Sequence, residues 1–321
     1  MTGSPSLLLV LVAYGGDTRA RNTALELLAH AEADGLEARA VVVDNFERYS
    51  HDDKQHIRAE WTAAPASALC VDLIPGATPP AIPPDARCSY YFTNENLGYA
   101  RGNNLGFRLG GGAAVPYLLI ATPDVHLETR GGLRRLVETL DAHPEAGCVG
   151  PRVLDSRGVP QGPYRFQGAG RRYGSLLWAP LTYIRRRRYF ADEIMHGIEH
   201  GPVYRIMGCC MLFRSVDFAG VGGFDAGTFL YAEEAIMAER LRSQKKSVYF
   251  DAAVVVRHEA GETISTLHDN AHRLRMRFES DMYYYRTYRR AGPLSRAWAR
   301  LGLFVFLRIW TPLARHLRTR V

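Results

Sequence analysis

The sequence predicts an α/β protein, a Rossmann-like mixed sheet flanked by helices, with a helical extension at its C-terminus. Three observations carry this reading. Apolar, β-branched runs alternate with helical patterns through the first half. Several of these runs end in polar turns, the place where α/β proteins bind ligands. Beyond Thr266 apolar residues recur every three or four positions, the period of an amphipathic helix.

The run SLLLVLVAY, residues 6–14, is the expected first strand; no Lys or Arg precedes it and Asp17 follows closely, unlike a secretion signal. A helix is expected near Arg19 to Ala33 and a second strand over Ala40 to Asp44. His51 to Glu60 reads as a polar stretch, Ala68 to Leu73 as a strand, and PGATPPAIPPDAR as a Pro-rich surface loop. Strands follow at Ser89 to Phe92 and Tyr117 to Ala121, with a helix starting near Gly98 between them. Val203 to Phe213 and Ser247 to Val256 read as strands around a loop and helix near Phe224 to Ser243. The sheet domain is expected to occupy residues 1–262 and the extension residues 263–321.

In that extension Leu267, Ala271, Leu274, Phe278, Met282 and Tyr285 form a stripe that should pack on the domain. Leu294, Trp298, Leu301, Val305 and Ile309 form a second stripe. Its apolar centre, LGLFVFL, is far shorter than the roughly 20 residues that cross a bilayer.

A chain of 321 residues, 47% hydrophobic and 23% charged, can bury a large core. The net charge of +7 is unevenly placed: nine Arg and no acid lie from Arg286 to Val321, leaving 31 basic against 33 acidic residues elsewhere. No basic face or nucleic-acid module accompanies it, so no nucleic-acid partner is expected. An apolar, Arg-rich tail instead suits an anionic membrane surface, which predicts a cytoplasmic protein, peripheral at the inner face of the cell membrane. Packing of the tail on the domain, or against a second copy, is the competing expectation. Five cysteines without a CxxC pair fit a reducing compartment. Arg185 to Arg188 read as a solvated charge run within reach of an acceptor's phosphate.

The stretch NENLGYARGNNLGF, residues 94–107, sets three glycines among five amide or guanidinium side chains just after a strand. Glycines admit a ligand close to the backbone, and Arg101 with the helix start near Gly98 offers donors to phosphate oxygens. A helix cap with a Gly-rich turn is the plainer alternative. Asp44, ending VVVDN, is a strand-tip carboxylate able to accept from a ligand. Asp124 in IATPDV could share a hard divalent cation with a diphosphate, or simply form a turn after Pro. His258, ending VVVRH, could join it on the metal or be structural. Glu233 and Glu234 open a helix, where acids also favour the helix dipole.

In order and spacing these stretches resemble the inverting GT-A glycosyltransferases of family 2, most closely the rhamnosyltransferase-like members, over about Leu7 to Tyr288. The resemblance implies that the strand ending near Tyr14 and the VVVDN turn hold the nucleoside, with Asp44 on the base. It implies too that Asn96 to Gly106, including Gly98, Arg101 and Asn104, lies along the donor's ribose and diphosphate. TPD matches only the final carboxylate of the family's metal motif, which assigns Asp124 to Mg²⁺ or Mn²⁺, with His258 as the candidate second ligand. GCCMLFRS, GGFDAG, YAEEAIM and VVVRHEAGE follow the acceptor-side signature, with Glu234 in place of the usual Asp and Ile236 in place of a later one.

The expected activity is inverting transfer of a sugar, with rhamnose a candidate, from a dTDP- or UDP-linked donor to a glycan or lipid-linked acceptor in cell-surface polysaccharide assembly. Glu234 is the expected base and Glu233 its supporting neighbour. The alternative is a non-catalytic nucleotide-sugar-binding partner in a glycan assembly complex. A dinucleotide-dependent oxidoreductase is disfavoured because no GxGxxG follows the first strand.

Overall fold

The computed structural model describes residues 6–16, 18–63, 68–74, 78–80, 82–83, 86–179, 193–259 and 270–313. Strands β1 (Leu7–Ala13), β2 (Ala38–Asp44), β3 (Leu69–Asp72), β4 (Cys88–Phe92) and β5 (Tyr117–Ala121) form a parallel half-sheet. The other half contains β6 (Val125–Leu127), β7 (Ala146–Asp155), β8 (His200–Val203), β9 (Cys210–Arg214) and β10 (Ser247–His258). Among the described residues the order is β3-β4-β2-β1-β5-β9-β7-β10-β6, with β8 paired to β10. Strand β9 runs antiparallel to both β5 and β7, and so joins the halves.

Both sheet faces are covered, so β1 has no polar side. Leu7, Leu9 and Leu11 enter one core with α1 (Thr18–Ala33), α2 (His51–Thr62) and α4 (Gly132–Ala142). Leu8 and Val10 enter the other with α3 (Gly98–Leu109), α6 (Ser215–Gly220) and α7 (Glu233–Ser243). The register sets Ala13 beside Asp44 and Asp44 beside Phe92, gathering the strand tips at one edge.

Helix α3 lies hard against β1. A Cβ on Gly102 would stand 2.9 Å from Val12 Cγ2, and one on Gly106 2.5 Å from Val10 Cγ1. These two glycines therefore serve helix-on-strand packing rather than ligand approach. Gly98 differs, with φ +71° and Tyr99 N–H donating to Phe229 O at 3.0 Å.

A third core joins α5 (Ala169–Gly174), α8 (Asn270–Thr287) and α9 (Pro293–Val305) to Ala235 and Ile236 of α7. Phe278 and Tyr285 of the first extension stripe are buried there, with Leu274 and Met282 against them. Leu267 and Arg185 to Arg188 lie outside the described residues. The second stripe faces outward: Leu294, Trp298, Leu301 and Ile309 are exposed, as is Phe304. Helix α9 packs through Ala299, Gly302 and Leu303 instead, because only a glycine at 302 fits against the Tyr173 carbonyl. Among the described residues no helix is long and apolar enough to cross a membrane.

Other departures have local causes. The polar stretch at His51 is helix α2, started by a capping box in which Ser50 accepts from Asp53 N–H and Asp53 accepts from Ser50 N–H. The single strand expected over Val203 to Phe213 is two strands, β8 and β9, joined by residues 204–209. Helix α4 and strand β7 were not anticipated; Gly147, Gly150 and Pro151 interrupt the β pattern of the latter.

Candidate active site

On the donor side Asp44 is completely buried. Its oxygens accept from Gly15 N–H at 3.2 Å, Gly16 N–H and Phe46 N–H at 2.9 Å each, Tyr49 Oη at 2.5 Å, and Tyr90 Oη. Burial, then the Asp44 charge, raises both phenols well above their ordinary value, which keeps them protonated as donors. The carboxylate thus shapes the Gly15–Gly16 turn and leaves no surface for a nucleobase. What faces outward is the Tyr14 ring, edge-on to Phe46 with centroids 5.2 Å apart, its hydroxyl 3.2 Å from Glu47 Oε2.

At the start of α3, Asn96 Oδ1 accepts from Gly98 N–H at 3.1 Å, and Asn45 Nδ2 donates to Gly98 O at 2.9 Å. Arg101 is exposed on the first turn, with no hydrogen-bond or ionic partner among the described residues. Asn104 departs from its expected role: Nδ2 donates to Phe224 O at 2.8 Å and Oδ1 accepts from Phe224 N–H at 2.9 Å. It stitches α3 to the GGFDAG turn, using one N–H and one lone pair of its amide. In that turn Asp225 accepts from Tyr283 and Tyr288 of the extension.

Asp124 and His258 do meet. His258 Nε2 lies 3.3 Å from Asp124 Oδ2, and Thr122 Oγ1 donates to Asp124 Oδ1 at 2.6 Å. Burial alone would raise the Asp124 pKa, but His258 and Thr122 hold it below the usual carboxylate value. His258 Nδ1 is 2.8 Å from Gln161 Oε1, an acceptor. Gln161 fixes the ring so that Nε2 points at Asp124 Oδ2, an imidazole and a carboxylate side by side at one point of the site. One imidazole and one carboxylate suit Mg²⁺ or Mn²⁺ when phosphate oxygens complete the shell. Among the described residues no three His, Cys, Asp or Glu side chains converge on such a site.

The acidic pair opens α7 after Tyr231 and Ala232, both in left-handed backbone with φ of 75° and 68°. Two non-glycine residues in this region mark strain held by surrounding packing. Glu233 turns inward; burial, then Glu234, pushes its pKa to about 8, and its Oε1 has no hydrogen-bond partner. Glu234 faces the cavity that it lines with Tyr204, Arg205 and Arg277. Arg205 Nη1 holds Glu234 Oε1 at 2.6 Å, and a Cβ on Gly208 would stand 3.7 Å from Oε2. Ile236 is fully buried in the third core, so this departure from the acceptor-side pattern replaces an acid with a packing contact.

The two chemical groups meet across the Gly208–Cys209 step. Cys209 O accepts from Thr122 N–H at 3.0 Å on the Asp124 side. Gly208 O accepts from Tyr99 Oη at 2.7 Å beside Glu234. Burial first, then Cys210 and Asp124, with Glu234 contributing, drives the Cys209 thiol well above its ordinary pKa. Arg205, Gln161 and Thr122 were missed in the sequence. Only Arg205 carried a signal, as a lone charge inside an apolar run.

No protein-family profile matches the chain. It is 30% identical over 186 residues to N-acetylglucosaminyl-diphospho-decaprenol L-rhamnosyltransferase of Mycobacterium tuberculosis, in strains CDC 1551 / Oshkosh and ATCC 25618 / H37Rv alike. The match covers 53% of this chain and 59% of each relative's length. Among solved structures it resembles the crystal structure of GalNAc-T7 with UDP, GalNAc and Mn²⁺, with a TM-score of 0.53 and 11% identity. That match covers 98% of this chain and 58% of the other. The chain has the GT-A fold, with C-terminal helices, and over the matched stretch it is similar in sequence to an L-rhamnosyltransferase.

Proposed function

We propose that the protein transfers a sugar, with inversion at the anomeric carbon, from a nucleoside diphosphate to a hydroxyl of a lipid-linked glycan during cell-envelope polysaccharide assembly. The observation that carries this reading is the placement of Asp124 with His258 and of Glu234 on opposite sides of the Gly208–Cys209 step. One side suits a departing diphosphate and the other a nucleophile. The mycobacterial relative's name supports L-rhamnose as the sugar and a diphosphoprenol-linked acceptor. The Mn²⁺ and UDP in the structural neighbour support a divalent ion with a nucleotide donor, dTDP- or UDP-linked.

In this mechanism Tyr14 and Phe46 border the nucleoside, and Arg101 with the α3 N-terminus faces the diphosphate. Asp124 and His258 would hold a divalent ion, which when bound would offset charge on the leaving diphosphate. The acceptor hydroxyl attacks the anomeric carbon from the face opposite the diphosphate. Its proton passes to Glu234 Oε2 while the C–O bond to the diphosphate breaks and the leaving oxygen keeps the electron pair. A single displacement needs one base, and Glu233, buried and protonated, adds no second nucleophile.

Melting temperatures with dTDP- and UDP-linked sugars, with and without Mn²⁺, test the donor site, since a bound ligand stabilises the fold. We expect dTDP-L-rhamnose to raise the melting temperature further with Mn²⁺, and Asp124→Ala to remove the increment due to metal. An unchanged increment in Asp124→Ala would show that the ion sits elsewhere.

The outward row Leu294, Trp298, Leu301, Phe304 and Ile309, flanked by Arg296, Arg300 and Arg308, supports docking of α9 in the interface of an anionic membrane. Replacing Trp298, Leu301 and Phe304 by Ser is expected to cut sedimentation with anionic vesicles several-fold. Equal sedimentation of the variant and the parent would exclude this face.

A further inference from the structure

The Glu234 carboxylate is the end of a buried chain of alternating charges. Arg205 Nη1 holds Glu234 at 2.6 Å while its Nη2 holds Glu193 Oε2 at 2.9 Å. Glu193 Oε2 also pairs with Arg172 Nη1, and Arg172 Nε lies 3.1 Å from Asp281 Oδ2 on α8. Tyr173 Oη donates to Asp281 at 2.5 Å. These five charged side chains are only 3–17% exposed. Burial would lower the Arg205 pKa, but Glu234 and Glu193 overturn that and hold it above its ordinary value.

Buried pairs of this kind rarely add net stability over apolar packing, so their retention calls for another account. A guanidinium fork fixes direction as well as charge, because its nitrogens lie in one plane. Here the fork is clamped at Glu193, stacked 4.0 Å over the Tyr164 ring, and aimed at one oxygen of Glu234. Oε2 is left toward Gly208, the side where the acceptor hydroxyl is proposed to enter.

We propose that Arg205 is the positioning residue for the Glu234 carboxylate, and that Glu193, Arg172 and Asp281 hold Arg205 in place. Helix α8 of the extension thereby becomes part of the transfer apparatus. This rests on Glu234 being the base.

The experiment measures transfer from dTDP-L-rhamnose to N-acetylglucosaminyl-diphosphoprenol by the full chain, as kcat, donor KM and the pH profile of kcat. Arg205→Met is expected to lower kcat about tenfold or more and leave donor KM within about twofold. It should also move the acid limb of the profile to higher pH, as the charged carboxylate loses the cation beside it. The other titratable or charged groups around Glu234 are Glu233, Tyr99, Tyr164, Cys209 and Arg277, all unchanged in this variant.

In a Glu234→Gln background Arg205→Met should cost nothing further, because the two act as one unit. Asp281→Asn, which keeps shape and lies at the far end of the chain, should lower kcat in the same direction by a smaller factor. Arg205→Lys should retain more activity than Arg205→Met and leave the acid limb in place. Losses that multiply in the double variant would overturn the proposal, as would a parental kcat and acid limb in Arg205→Met. If Arg205→Met fails to fold, parental kcat in both Asp281→Asn and Arg205→Lys would overturn it. Parental transfer by Glu234→Gln would instead remove the base assignment itself, a distinguishable result.

Discussion

Asp44 at the tip of β2 and Glu234 at the start of α7 are treated in opposite ways by their surroundings. Asp44 is closed off, its oxygens filled by three backbone N–H groups and two tyrosines from the same half-sheet. Glu234 keeps one oxygen on Arg205 and the other toward the cleft, and its partner belongs to a chain that ends on α8. Neutral donors that come from nearby in the fold build a rigid turn. A charged relay assembled from distant segments holds a group that must still react. The donor side of this site is therefore shaped mostly by backbone, and the acceptor side by side-chain charge.

The sharpest way to break this contrast is at Asp44. Asp44→Asn keeps the size but replaces one acceptor oxygen with a donor facing other donors, and the expected cost is about 2–4 kcal/mol, the scale of buried charged hydrogen bonds. Unfolding by urea would show it as a lower midpoint. A variant with parental stability that loses only nucleoside affinity would mean Asp44 faces the ligand after all.

An effect of opposite sign is expected at Glu233. Its folded pKa of about 8 lies above the ordinary value of 4.5, so between these limits the unfolded chain ionises while the folded one keeps its proton. Stability from this group is full below about 4.5 and is lost as pH rises toward 8. Glu233→Gln removes the loss, so its melting temperature should exceed the parent's by a margin that grows from pH 5 to pH 8. A margin independent of pH would refute the buried, protonated state.

The parallel half-sheet was legible because its strands are continuous apolar runs, and β1, β2, β4 and β5 fall within two residues of their expected places. Ligand-facing residues were harder to read. NENLGYARGNNLGF looked like one ligand loop, yet Gly102 and Gly106 answer to Val12 and Val10, and Asn104 to Phe224. Sequence pattern shows that a residue is unusual, but the packing partner that explains it comes from elsewhere in the chain. Asp124 and His258 lie side by side because β6, which begins just after Asp124, pairs with the end of β10 at His258. The link from Glu234 to Asp281 could not be read, since Glu193, Arg172 and Asp281 share no period or motif with it.

The six residues 204–209 between β8 and β9 touch nearly everything that matters. Tyr204 reaches Glu239, Arg205 holds Glu234, Met207 receives the Tyr164 hydroxyl, Gly208 meets Tyr99 and Cys209 accepts from Thr122. Because consecutive residues engage different neighbours, inserting or deleting one residue here would shift all of these contacts out of step together. Surface loops of α/β proteins usually absorb changes of length freely. In this chain the connector behaves as a ruler, and its length is part of the site.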